Sequence, residues 1–285
     1  MNGPVETALR GARDAGRALL VPYVTGGISD DWIDYVLAYQ ESGADAVEIG
    51  LPFSDPMLDG TTIQQASDHA LARGATPEEI LAALGAARDR VRVPLVVMTY
   101  ANLVVRTGVE AFCRRLAAAG VSGLIVPDMP VDELGDLETA AAGAGIDLVL
   151  LVAPSTAPDR LREICRRSRG FVYAVSTMGT TGERADLAAS AAPLADRARA
   201  ADDRPVLVGF GISSPAHAVQ AARSADGVVI ASALMRRVLD GATPDDVGRD
   251  VAALRRGLDR ERDGNAAATG AEVPGDRDGP ARQDP

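Results

Sequence analysis

Two carboxylates frame the stretch VEIGLPFSDPMLDG, Val47 to Gly60. Glu48 sits among apolar residues of strand character, and Asp59 follows eleven positions later on a segment broken by Pro and Ser. A carboxylate at a buried strand end is costly unless it is paired or neutralised, so Glu48 points to proton transfer. The rest of the chain narrows the chemistry. All 29 basic residues are Arg, and without Lys the chain can form no Schiff base with a carbonyl substrate and cannot hold pyridoxal phosphate covalently. The two His, His69 in ASDHALARG and His217 in SPAHAVQAA, stand apart in helical patterns without metal-ligand spacing and read as structural. Acid–base work therefore falls to carboxylates and Tyr.

The positioning elements follow from apolar periodicity. Eight short runs recur: ALLVPYVTGG, ADAVEIG, VPLVVMTY, GLIVPD, DLVLLVAP, FVYAVST, PVLVGFG and GVVIASA. Their aliphatic and β-branched character predicts strands buried on both faces. Between them lie amphipathic stretches such as DDWIDYVLAYQESG, PEEILAALGAARDRV and GVEAFCRRLAAAG, several closing on Gly, a common residue just past a helix end. This alternation predicts an α/β fold, a single-domain (β/α)8 TIM barrel over residues 1–263; a doubly wound open sheet of eight strands is the alternative. The first seventeen residues read as an extra helix closing the barrel floor. From about Gly264 the chain is rich in Gly, Pro, Ala and charge without apolar periodicity, so residues 264–285 are expected to form a disordered tail.

Composition sets further bounds. A net charge of −11 and a pI near 4.7 argue against a nucleic-acid surface. The N-terminal segment lacks a signal-peptide core and no run approaches a membrane span. Cys113 and Cys165 lie in helix-like stretches and read as reduced, structural thiols, placing the chain in the cytoplasm.

A barrel of this kind carries its active site at the carboxyl ends of the strands. The polar exceptions collect there: Glu48 near the end of strand two, Asp59 on the following loop, Tyr100 and Asn102 after strand three, Asp128 at the end of strand four, and Tyr173 in strand six. Asp128 could equally be a cap or turn residue, and Tyr100 a packing residue with a satisfied hydroxyl. The loops Leu51 to Thr62 and Ser176 to Arg184 could fold over a substrate, the second having glycines that tolerate unusual backbone angles. GFGISS after strand seven and ASAL after strand eight offer small residues whose N–H groups could converge on a phosphate at a helix N-terminus.

VEIGLPFSDPMLDG, MTYANLV, GLIVPDMPVDE, VAPST, FVYAVSTMGTTGER and VGFGISSPAHA occur in an order that resembles the tryptophan synthase alpha subunit family, over roughly Ala18 to Leu239. The resemblance implies retro-aldol cleavage of indole-3-glycerol phosphate to indole and glyceraldehyde 3-phosphate, a lyase reaction using no metal and no cofactor of its own. It assigns Glu48 as the acid/base and Asp59 as the loop carboxylate that accepts the indole N–H. Tyr173, Thr181, Gly182, Phe210, Gly211, Ala231 and Ser232 match substrate-binding positions. Pro52, Asp55, Tyr100 and Asn102 match positions facing a pyridoxal phosphate-bearing beta subunit, in an expected α2β2 complex. The chain departs from the pattern at Ala231-Ser232, where the family usually has Gly-Ser, and the methyl could crowd a phosphate or exclude positive φ. Strand one also ends VTGGISD, lacking the frequent Ala-Gly-Asp-Pro form, a departure of little expected consequence. A self-sufficient lyase and a non-catalytic activator are the alternatives; Glu48, Asp59 and Thr181 together argue against the activator. Deleting the residues after Asp263 is expected to leave the melting temperature and lyase activity nearly unchanged, because a segment with few native contacts contributes little; differential scanning fluorimetry and an indole-release assay check this.

Overall fold

The computed structural model describes residues 2–175, 184–209 and 214–269. Its strands are β1 Leu19–Thr25, β2 Val47–Gly50, β3 Leu95–Met98, β4 Gly123–Ile125, β5 Asp147–Val152, β6 Val172–Val175, β7 Val206–Gly209 and β8 Gly227–Ile230. The helices α1 Pro4–Asp14, α2 Trp32–Glu41, α3 Thr61–Ala72, α4 Pro77–Ala87, α5 Ala101–Thr107 and α6 Val109–Ala118 occupy the first half. In the second half are α7 Gly135–Ala144, α8 Pro158–Arg167, α9 Arg184–Ala201, α10 Pro215–Ala222, α11 Ser232–Leu239 and α12 Pro244–Thr269.

All eight expected runs are strands, parallel and in sequence order. What decides barrel over open sheet is the last pairing: β8 returns to β1 with Leu19 opposite Gly227 and Pro22 opposite Ile230. No edge is left to pair elsewhere. Period-two alternation then divides each strand. Leu19, Val21, Val96, Ile125, Val149 and Leu207 fill the barrel interior, while Leu20, Val24, Val47, Ile49, Val97 and Val208 pack outward against the helical ring.

The N-terminal helix closes the floor as expected. Val5 and Leu9, one turn apart, enter the interior cluster. Pro4 at the start of α1 needs no intrahelical donor, and the Glu6 N–H donates to the Asp147 carboxylate at 3.0 Å, so β5 caps a helix distant in sequence. Buried Glu6 pairs with Arg10 at 2.9 Å and lies 3.6 Å from Arg204.

The C-terminal helix differs from expectation. α12 continues through Thr269, six residues into the segment expected to be the tail, because Ala266-Ala267-Ala268 favours helix despite lacking a core-facing pattern. Residues 270–285 lie outside the described residues. Near its middle, buried Arg255 donates to the Ala18 carbonyl at 2.7 Å and lies 3.3 Å from Asp45 and 2.7 Å from Asp259. Asp45 also accepts the Leu20 N–H at 2.8 Å and pairs with Arg17 at 2.7 Å, so one buried cluster ties α12 to the entry of β1. Arg255→Met takes the donor from the Ala18 carbonyl, while Asp45 keeps Arg17 and the Leu20 N–H. The substitution is expected to cost about 1–3 kcal/mol and to lower Tm by roughly 2–12 °C, measured by calorimetry against the parent chain.

Candidate active site

Alternation along β2 places Glu48 inward between Ala46 and Gly50, with Tyr23 of β1 and Val96 of β3 as its Cα partners. The side chain is 1% exposed, and its Oε2 has no hydrogen-bond partner among the described residues. Burial, and secondarily the facing charge of Asp59, push its carboxyl up to about 8.

Two glycines make the space around it. A β-carbon on Gly50 would collide with the Tyr23 hydroxyl, and one on Gly209 with the Tyr173 ring. Both tyrosine rings therefore lean over a glycine of the neighbouring strand, toward the barrel mouth. Burial, then the charge of Glu48, raises the Tyr173 hydroxyl well above its usual range. The Thr25 hydroxyl donates to Tyr23 at 3.2 Å.

The β2–α3 loop delivers Asp59 to the same space. Its backbone folds through short turns, with the Met57 N–H on the Asp55 carbonyl at 2.8 Å and the Asp59 N–H on the Pro56 carbonyl at 3.1 Å. From α3, the Gln64 amide donates to the Asp59 carbonyl at 2.9 Å. The Asp59 carboxyl is pushed up to about 6 by burial, an effect opposed by a hydrogen bond from Tyr100. Phe53 stacks on Tyr100 with ring centroids 5.1 Å apart and planes 25° from parallel. A cavity of about 820 Å³ adjoins this loop, walled in part by Met57, Leu58, Tyr100, Asn102, Asp128 and Leu151.

The remaining expected positions divide. Asp128 is a helix cap: its carboxylate accepts the Ala101 N–H that opens α5, at 2.8 Å. Pro52 is buried rather than presented outward, because the chain at Leu51 still pairs with Met98 (2.9 Å) before the loop rises; Ser54, Asp55, Met57 and Asn102 are exposed. Ala231 sits at the cap of α11 with φ −117°, so alanine fits there without strain and the concern over positive φ falls away; Ser232 opens the helix. Thr181, Gly182, Phe210 and Gly211 lie outside the described residues. His69 is structural, its Nδ1 bonded to the Ile28 carbonyl at 3.1 Å. Among the described residues no group of three His, Cys, Asp or Glu side chains could hold a metal ion.

Three residues went unread in the sequence: Tyr23, Gln64 and Phe53. Tyr23 was accessible in principle, since alternation in LLVPYVT puts it on the same face as Leu19 and Val21. Gln64 and Phe53 act through loop contacts that carry no periodic signal.

The chain matches the family described as Tryptophan synthase alpha chain over residues 9–259. The alpha chain of Gloeobacter violaceus is 46% identical over 232 residues, covering 80% of this chain and 84% of that protein. That of Chloroflexus aurantiacus is 43% identical over 249 residues, covering 86% and 93%. Among solved structures, Mycobacterium tuberculosis tryptophan synthase superimposes with a TM-score of 0.83 at 40% identity, over 90% of this chain and 99% of that one. By sequence and by fold, this chain belongs to the tryptophan synthase alpha chain family.

Proposed function

We propose that Glu48 and Asp59 carry out the known reaction of this family, cleavage of indole-3-glycerol phosphate to indole and glyceraldehyde 3-phosphate. The observation that carries the proposal is the pair itself: one carboxyl buried on the barrel wall with no hydrogen-bond partner among the described residues, the other held on a loop and facing it. Their environments set opposite protonation states. Near neutral pH Glu48, at about 8, holds its proton, while Asp59, at about 6, is mostly ionised. Glu48 delivers its proton to C3 of the indole ring, and Asp59 accepts the ring N–H and stabilises the positive charge that develops there. Glu48, now a carboxylate, takes the proton of the adjacent glycerol hydroxyl. The bond from C3 to that carbinol carbon breaks, its electrons returning to the indole ring as the aldehyde forms. One proton enters at C3 and one leaves the hydroxyl, so Glu48 ends protonated as it began.

Tyr173, buried beside Glu48, borders the reacting glycerol. The N-terminal end of α11, at Ala231 and Ser232, supports phosphate binding through free N–H groups and the helix dipole. Thr181 and Gly182, with Phe210 and Gly211, complete the substrate contacts in this reading. The family works with a beta subunit. In this chain Ser54, Asp55, Met57 and Asn102 are among the exposed groups beside the site that a partner would meet, within an α2β2 complex whose beta subunit carries pyridoxal phosphate.

Docking would favour a closed loop and so raise turnover only by the partner's differential affinity for that state. Indole release from indole-3-glycerol phosphate is therefore expected to be slow with the isolated chain and ~10–100-fold faster with a cognate beta subunit, a coupling of ~1–3 kcal/mol. Full-speed turnover alone would make a self-sufficient lyase the better description.

Glu48→Gln is expected to lower kcat by ~10²–10⁴-fold with little change in substrate affinity. The same variant should alter stability with a defined sign. Glu48 binds its proton more tightly folded than unfolded, so its contribution to stability is complete below the ordinary value of 4.5 and is lost as pH rises toward about 8. Gln carries no such loss. The melting temperature of Glu48→Gln relative to the parent should therefore climb between pH 5 and pH 9, and a flat difference would show that Glu48 is not held protonated.

A further inference from the structure

We infer that Tyr100 is a positioning residue for Asp59: its single phenol hydroxyl fixes the loop backbone and directs a hydrogen bond to the carboxylate at once. The inference rests on the reading of Asp59 given above and goes beyond it, since the sequence pattern places Tyr100 only beside the partner passage.

The geometry is specific. Tyr100, 6% exposed, caps α5 at the end of β3, on the rigid barrel rather than on the loop. Its oxygen accepts the Leu58 N–H at 3.1 Å. A phenol has one hydrogen to donate. With the Leu58 donor already on the oxygen, that hydrogen is left to be directed at the carboxylate of Asp59, the next residue of the loop and a group whose charge acts on the phenol. The Phe53 ring stacked on Tyr100 restricts the phenol's tilt from the other limb of the same loop. One side chain thus holds the loop at Phe53 and at Leu58, the residue before Asp59, and Gln64 holds the Asp59 carbonyl independently from α3. A carboxylate left to the loop alone would sample positions from which catalysis is lost, ~10²-fold for ~1 Å.

The titratable groups facing Asp59 come from four elements: Tyr23 of β1, Glu48 of β2, Tyr100 after β3 and Tyr173 of β6. Asp128, after β4, acts on Tyr100 itself. Among these described groups none is cationic, so the phenol is the neutral donor that offsets burial of the Asp59 charge. Removing it raises the Asp59 carboxyl further, and activity that needs the ionised form retreats to higher pH.

The test is the pH dependence of kcat and kcat/KM for indole-3-glycerol phosphate, from pH 5.5 to 9, in the full chain with its beta subunit. Parent, Tyr100→Phe and Asp59→Asn are compared. Tyr100→Phe retains the ring for Phe53 and loses only the hydroxyl. The expected result is an ascending limb moved up by about one pH unit, a ~10-fold loss at the acid end that shrinks as pH rises, with KM close to the parent's and Asp59→Asn nearly inactive throughout. An unmoved limb or a loss equal at every pH, with Asp59→Asn inactive, overturns the role of Tyr100 and leaves Asp59 in place. Parent-like activity in Asp59→Asn overturns the reading of Asp59 itself and this inference with it. Should Tyr100→Phe melt early, 3,5-difluorotyrosine at position 100 supplies a stronger donor and is expected to move the limb down; no movement there also overturns the proposal.

Discussion

The burial of one carboxyl, unpaired among the described residues, governs this structure. Glu48 is inside a barrel whose interior is mainly aliphatic and aromatic, and it stays there because the folded protein keeps it protonated. A neutral carboxyl is tolerable in such a site, whereas an ionised one would require a cation or a set of donors. The barrel supplies neither among the described residues, so the acid that costs stability is also the acid with a proton to give. Tyr23 and Tyr173 follow from the same constraint. They are large enough to wall off the carboxyl, and each fits only because the neighbouring strand has Gly50 or Gly209 where any other residue would collide.

Asp59 is the complementary case. In the proposed reaction it must be ionised near neutral pH and yet sit close to Glu48, where burial works against its charge. Placing it on a loop leaves it partly hydrated, and a phenol from the barrel supplies the donor that burial alone would deny it. Two carboxyls within one motif thus acquire different roles from different surroundings, without any difference in the intrinsic chemistry that would force the assignment.

The scaffold keeps its own charges away from this chemistry. Buried ionic clusters lie at the opposite end of the barrel, where Glu6, Arg10, Arg204 and Asp147 hold the floor helix and Arg17, Asp45 and Arg255 hold the C-terminal one. Arg serves each of the ion pairs among these contacts, and its planar fork suits them, since it can reach a carboxylate and a backbone carbonyl together as Arg255 does.

Much was legible in the order of residues. Eight apolar runs separated by amphipathic stretches gave strands and helices, and the absence of Lys with only two isolated His left acid–base chemistry to carboxylates, Glu48 and Asp59 foremost, and Tyr. These are local properties: periodicity, residue type and the cost of burying a charge are written within a few positions. Tertiary structure alone decided what depends on distant neighbours. The β1–β8 pairing closed the sheet, and no sequence pattern distinguishes a last strand that returns from one that forms an edge. Asp128 became a cap for α5 because β4 ends beside β3, and Pro52 became buried because the chain still pairs at Leu51. Tyr100 was visible as a tyrosine after a strand, but its attachment to Leu58 and Asp59 exists only where a loop crosses the barrel mouth, some forty residues away along the chain. Such contacts belong to geometry between elements, which the chain specifies only through the whole fold.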